Sequence, residues 1–221
     1  MKVINVAKWT KKVLNANKGL MLLLGLMFVF KSAIADWNTV PTGSMNPTIV
    51  EGDRIFINKL AYDLNVPFTG QSIVKISDPR RGDIIVFNSK VANNRLVKRV
   101  IGVSGDTVQM INNQLYINDE KLVYQTGKVV ESNLLLSETL FGKQYNIQNN
   151  VNGSQSDSFA KVTVPENEYL VLGDNRDNSA DSRFIGFVKR DEIIGKTDSV
   201  VLSFNYDNYY IPRSDRFFKT L

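Results

Sequence analysis

Ser44 sits in the run Pro41-Thr42-Gly43-Ser44-Met45-Asn46-Pro47-Thr48, a short way beyond an apolar stretch, in a chain of 221 residues with no histidine and no cysteine. A serine held in a rigid Pro/Gly loop is a candidate nucleophile. Without histidine it cannot belong to a Ser-His-Asp triad, and without cysteine no thiol can take its place. Its base must therefore be a lysine or a carboxylate. The missing imidazoles and thiolates also argue against a zinc site, so neither a metal nor another cofactor is expected.

Three segments stand out. The first is the Ser44 loop with Glu51-Gly52-Asp53. The second runs from Arg81-Gly82-Asp83-Ile84-Ile85-Val86-Phe87 to Lys98-Arg99-Val100-Ile101-Gly102 and Gly105-Asp106. The third is Gly173-Asp174-Asn175-Arg176-Asp177-Asn178-Ser179-Ala180-Asp181-Ser182-Arg183, closing with Gly186. In this order, behind an apolar segment, they resemble the bacterial type I signal peptidases, membrane-bound Ser/Lys proteases that release exported proteins from their signal peptides. The resemblance implies Ser44 as nucleophile and Lys98 as general base. It further implies Thr42, Gly43 and the Ser44 N–H around the oxyanion, Ser179 as a hydrogen-bond partner of Lys98, and Asp181 with Arg183 as an ion pair behind the site. Thr42 stands where the family usually has serine. Asn175 and Asp177 are expected to shape the turn.

The residues themselves bear on that pairing. An ordinary lysine, with a pKa near 10.4, is charged and cannot accept a proton from serine, whereas burial can lower it by as much as 3–5 units. Lys98 lies among Leu96, Val97, Val100 and Ile101 on an expected strand. Alternation puts Leu96, Lys98 and Val100 on one face, an apolar setting for the amine. Two S-x-x-K runs, Ser72–Lys75 and Ser158–Lys161, lack the companion K-T-G, since Lys196-Thr197 is followed by Asp198. No phosphate-binding G-x-x-x-x-G-K-[ST] loop is present.

The elements that must carry these residues read as mostly β. Short β-branched or apolar runs occur at 54–57, 83–87, 96–101, 108–111, 114–117, 169–172 and 199–204, with Asn112-Asn113 as a hairpin turn and Asn118-Asp119 as a second turn. The polar stretch 125–160 reads as a looser insertion. The fold expected is a single N-terminal transmembrane helix followed by an extracytoplasmic β-rich domain, a coiled or barrel-like sheet. Its boundaries are a basic segment 1–18, an anchor 19–36 and a catalytic domain 37–221.

Charge supports this division. The net charge of +5 resides at the N-terminus, where 1–36 hold six lysines and one acid, leaving 21 basic and 21 acidic residues in 37–221. A neutral main domain has no electrostatic footprint for nucleic acid. Gly19 to Ala35 covers 17 residues with Lys31 near its end, five lysines before it, and Trp9 and Trp37 flanking it. That suits a short span in the cytoplasmic membrane, N-terminus inside and catalytic domain outside. The same pattern, with Ala33-Ile34-Ala35, also describes a cleavable secretory signal. The expected partners are the lipid bilayer and exported precursors with signal peptides, whose extended small-x-small segment would meet shallow pockets from Val40, Met45 and Val97. Two other readings stay open: a specialised relative maturing one substrate such as a conjugative pilin, and an inactive tethered β-domain that binds partners.

Overall fold

The computed structural model describes residues 14–221 apart from Gly70 and the Phe30 side chain; Lys2, Lys8, Trp9, Lys11 and Lys12, and with them most of the expected basic segment, lie outside the described residues. Helix α1 (Lys18–Ala33) leads into strand β1 (Ala35–Thr39), followed by β2 (Asp53–Asn58), β3 (Asp63–Asn65), β4 (Ser72–Lys75), β5 (Ile84–Ser89), β6 (Asn94–Gly102), β7 (Thr107–Ile111), β8 (Gln114–Ile117) and β9 (Glu120–Lys121). Then come β10 (Val123–Val130), β11 (Asn133–Leu140), β12 (Lys143–Asn150), β13 (Phe159–Thr163), β14 (Glu168–Leu172), the one-turn helix α2 (Ser182–Ile185), β15 (Val188–Lys189), β16 (Ile193–Asn205), β17 (Ile211–Pro212) and β18 (Lys219–Thr220). The protein is mostly β.

A nine-stranded sheet forms the frame, in the order β1-β2-β16-β5-β6-β14-β15, with β17 and β18 on β16. Its centre is β5, where Ile84, Ile85, Val86 and Phe87 are all buried. Alternation divides them. Ile84 and Val86 join Val40, Met45, Ile49, Ile55, Ile57 and Val200 in one core. Ile85 and Phe87 join Tyr62, Val100, Tyr169, Val171, Val188 and Ile193 in another. A third core binds the four-stranded sheet β13-β7-β8-β9 to the frame through Ile101, Leu170 and Leu172.

The hairpin expected at Asn112-Asn113 forms, with φ of 48° and 61°, and Asn118-Asp119 turns likewise at 52° and 68°. Paired positive φ values match the right-handed strand twist, and Asn and Asp tolerate them better than most residues. The stretch 125–160 departs from expectation. It is no loose insertion but chiefly an antiparallel sheet, β10-β11-β12, with β11 and β12 in unbroken register from Asn133↔Asn150 to Leu140↔Lys143. Many of its polar residues line the solvent side, so that Ile147 is buried while Gln144 and Asn146 are exposed.

Helix α1 exposes Leu20 to Leu24 and Leu26 to Val29. It stops at Ala33, and Ala35 and Asp36, expected within the anchor, already belong to β1, paired with Asn58 and Ile57. No helix among the described residues is long and apolar enough to cross a membrane. The end of α1 is fastened to the domain: Lys59 Nζ donates to the carbonyls of Lys31 and Ser32, each at 3.0 Å, and the Phe68 N–H donates to Ser32 Oγ at 2.6 Å. The two Lys59 bonds satisfy carbonyls that a helix end leaves unpaired.

The turn returning the Ser44 loop to β2 depends on Gly52. Its φ is +86°, and a Cβ there would lie 2.0 Å from the Phe204 carbonyl oxygen, a main-chain atom that cannot move aside. Gly52→Ala should therefore destabilise the protein by roughly 2–4 kcal/mol, the sum of left-handed strain and overpacking, read as a lower urea midpoint at unchanged slope.

Candidate active site

Two elements meet at Ser44. The loop carrying it leaves β1 and returns through β2, anchored by Met45 and Ile49, both fully buried. The segment after β14 lies flush against it: the Asn175 side-chain amide donates to the Gly43 carbonyl at 3.0 Å, and the Asn175 N–H donates to the Ser44 carbonyl at 3.2 Å. Only glycine fits at 173, since a Cβ would sit 2.4 Å from the Ser44 carbonyl oxygen and 2.3 Å from Ser179 Oγ. With these carbonyls engaged, the loop turns other groups outward. The Ser44 N–H and the exposed Thr42 hydroxyl hold no partner among the described residues.

Lys98 approaches from β6. Its Nζ is 2.7 Å from Ser44 Oγ and donates to the Val97 carbonyl at 3.0 Å. The side chain is 2% exposed. Ile85 stands opposite it in the β5 register, and Leu96 and Val100 pack in the same core as Ile85, as alternation anticipated. Burial pulls the ammonium down to about 8; Asp181 and Asp174 oppose this, and Arg183 reinforces it. Near pH 8 a substantial fraction of the amine is then neutral, so that its lone pair can accept the Ser44 proton. Strand β6 has β5 along one edge, while β14 reaches the other only from Arg99 onward. The free edge at 94–98 faces β1 closely enough for Arg95 Nη1 to donate to Asn38 Oδ1 at 3.2 Å.

Behind the pair stand buried ion pairs. Asp181 and Arg183 form the expected one, with Arg183 Nε and Nη2 at 2.8 and 2.7 Å from the carboxylate, and Asp181 also accepts the Gly173 N–H at 3.0 Å. Sequence reasoning missed a second: Arg99 grips Asp174 through two bonds of 2.8 and 2.7 Å, and Thr48 Oγ1 donates to the same carboxylate at 2.5 Å. Both residues were visible inside the motif segments, but no sequence signal paired them. Two expectations are corrected. Ser179 makes no hydrogen bond to Lys98; its Oγ is buried without a partner. Val40 and Met45 do not wall an open pocket, since both point into the core shared with Ile55 and Ile57 and only Val97 is partly exposed. The S-x-x-K runs hold no paired serine and lysine: Lys75 pairs with Asp78 and Lys161 with Asp119.

Residues 13–202 match the family model described as signal peptidase, peptidase S26. The chain belongs to this family. Among relatives, the signal peptidase I of Rickettsia bellii is 37% identical over 84% of this chain and 72% of its own length. That of Pseudomonas aeruginosa is 33% identical over 84% and 71%. That of Bacillus amyloliquefaciens is 35% identical over 90% and 94%. The chain is thus a peptidase of the S26 family, and the matched region contains Ser44, Lys98 and the Gly173–Arg183 segment.

A lysine ammonium held in an apolar site penalises folding until it loses its proton. Lys98→Met should therefore make the protein more stable at pH 7, by roughly 1–3 kcal/mol. The sign follows from the lowered pKa. Below about 8 the native state carries the full penalty, and between 8 and the ordinary lysine value of 10.5 wild-type stability climbs as the buried amine gives up its proton first. The advantage of Lys98→Met in thermal denaturation should shrink across that window.

Proposed function

We propose that this signal peptidase cuts signal peptides from precursor proteins with Ser44 as nucleophile and Lys98 as general base. The observation that carries the reading is the 2.7 Å approach of a buried lysine amine to a loop serine in a chain without histidine. Neutral Lys98 takes the hydroxyl proton as Ser44 Oγ attacks the scissile carbonyl. The developing oxyanion is met by the Ser44 N–H and the Thr42 hydroxyl, and Gly43 lets the main chain come close. Protonated Lys98 then gives its proton to the leaving amine. A water, deprotonated by the same lysine, hydrolyses the Ser44 ester and restores the enzyme. Ser179, whose buried hydroxyl makes no bond to the amine, carries no step. Asp181 and Arg183 hold the backbone behind it.

The free edge of β6 before Arg99, facing β1, supports binding of the substrate as an added strand. Main-chain hydrogen bonds then carry affinity, and small side chains suit the shallow surface left by Val97. For localisation we propose that α1 anchors the chain once, N-terminus in the cytoplasm and catalytic domain outside. The supports are the exposed apolar surface of α1 and the lysines preceding it.

Ser44→Ala and Lys98→Arg should each abolish cleavage of an exported precursor, with circular dichroism unchanged. Guanidinium stays protonated and cannot serve as base, so appreciable turnover by Lys98→Arg would remove Lys98 from the mechanism. Ser44→Thr should retain at most a few per cent of the rate, because the added methyl competes for the space beside the amine.

A further inference from the structure

The sheet β10-β11-β12 touches the catalytic segment at several polar points. Glu138 of β11 and Arg176 of the loop after β14 are both fully buried, joined by two bonds of 2.8 and 2.6 Å. The Tyr145 hydroxyl of β12 donates to the same carboxylate. The Tyr145 ring lies beneath the Arg99 guanidinium, 3.9 Å from its centroid. Arg99 follows Lys98 directly and grips Asp174, while Arg176 follows Asn175, which binds the Gly43 and Ser44 carbonyls. Two main-chain groups of β12 complete the attachment. The Gln148 N–H donates to the Asp174 carbonyl at 2.9 Å, and the Asn150 N–H donates to the Asp177 carboxylate at 2.7 Å.

We propose that this three-stranded sheet is a second frame for the active site, and that Glu138 and Tyr145 are positioning residues for the Ser44–Lys98 pair, acting through Arg176 and Arg99; this rests on the assignment of that pair as nucleophile and base. The chemistry favours position over bulk stability. A buried ion pair seldom adds net stability compared with apolar residues of similar size, because desolvation offsets its attraction. Its geometry is specific, however, since a planar guanidinium in a bidentate grip fixes direction as well as distance. Glu138 fixes the residue beside Asn175, and Tyr145 fixes the residue beside Lys98. One carboxylate thereby holds both halves of the site in a common register. Loosening it would misplace Lys98 relative to Ser44 and admit water to the amine.

The test uses the full chain in detergent micelles and a fluorogenic peptide spanning a small-x-small cleavage segment. Tyr145→Phe keeps the ring under Arg99 and removes only the hydroxyl. The double variant Glu138→Leu/Arg176→Met removes both buried charges together, so the fold is not left with an unpaired ion. We expect kcat to fall about 3- to 10-fold in Tyr145→Phe and about 10- to 100-fold in the double variant, with KM within about threefold of wild type. The acid limb of the pH–rate profile should move upward in both, because a more hydrated Lys98 returns toward ordinary lysine behaviour. Wild-type kcat and an unmoved acid limb in both variants, whatever happens to their melting temperatures, would overturn the proposal. Ser44→Ala in the same assay separates the two levels. If it is dead while Tyr145→Phe and the double variant are fully active, the dyad stands and the frame falls; if it cleaves, the dyad falls and the frame with it.

Discussion

The proposed mechanism depends on keeping one amine dry. A serine hydroxyl needs a base, the chain supplies no imidazole, and in the proposed mechanism the proton goes to a lysine that would ordinarily be charged at neutral pH. Desolvation is the lever that lowers the amine's pKa enough to be useful. It demands a rigid apolar wall on one side and a polar group, Ser44 Oγ, at hydrogen-bond distance on the other. Strand β6 meets the first demand because its neighbours β5 and β14 are among the most buried in the molecule. The Ser44 loop meets the second because Met45 and Ile49 root it in the adjoining core.

The cost of a desolvated cation is local, and the surrounding charges keep it from spreading. Asp174 and Asp181 lie close enough to oppose the fall in the Lys98 pKa, yet each is already held by its own arginine. Their carboxylates therefore cannot form a direct ion pair with the amine, which would lock it in its charged form. The same pairs stiffen the segment from Gly173 to Arg183, a surface against which the Ser44 loop is clamped. Fold and chemistry thus depend on the same buried polar contacts, and the apolar cores supply the platform beneath them.

Much of this was legible in the sequence, for identifiable reasons. Asn112-Asn113 was readable as a hairpin because a two-residue turn there needs positive φ at both positions. The run Ile84-Ile85-Val86-Phe87 was readable as a strand because four consecutive apolar, mostly β-branched residues bounded by turn signals have few other uses. Ser44 and Lys98 were singled out by their motif context and by the missing histidine; alternation along β6 then gave Lys98 its apolar face. What stayed hidden involves side chains distant in sequence. The bond between Arg99 and Asp174 spans 75 residues and that between Glu138 and Arg176 spans 38, and no local periodicity encodes either. The sheet at 123–150 was misread because its polar face dominates its composition, while the inward residues Leu140 and Ile147 are few. The Ser179–Lys98 bond was carried over by resemblance, and here the hydroxyl lies buried without it.

The central claim is that burial, reinforced by Arg183, makes Lys98 a base. The most direct measurement is the titration of its side chain, followed by NMR in protein with isotopically labelled lysine and assigned by the loss of one signal in Lys98→Met. The account predicts a Lys98 signal that titrates near pH 8, well below the ordinary lysine value of 10.5. A Lys98 signal that titrates near 10.5 would contradict it, and Ser44 would then need another base.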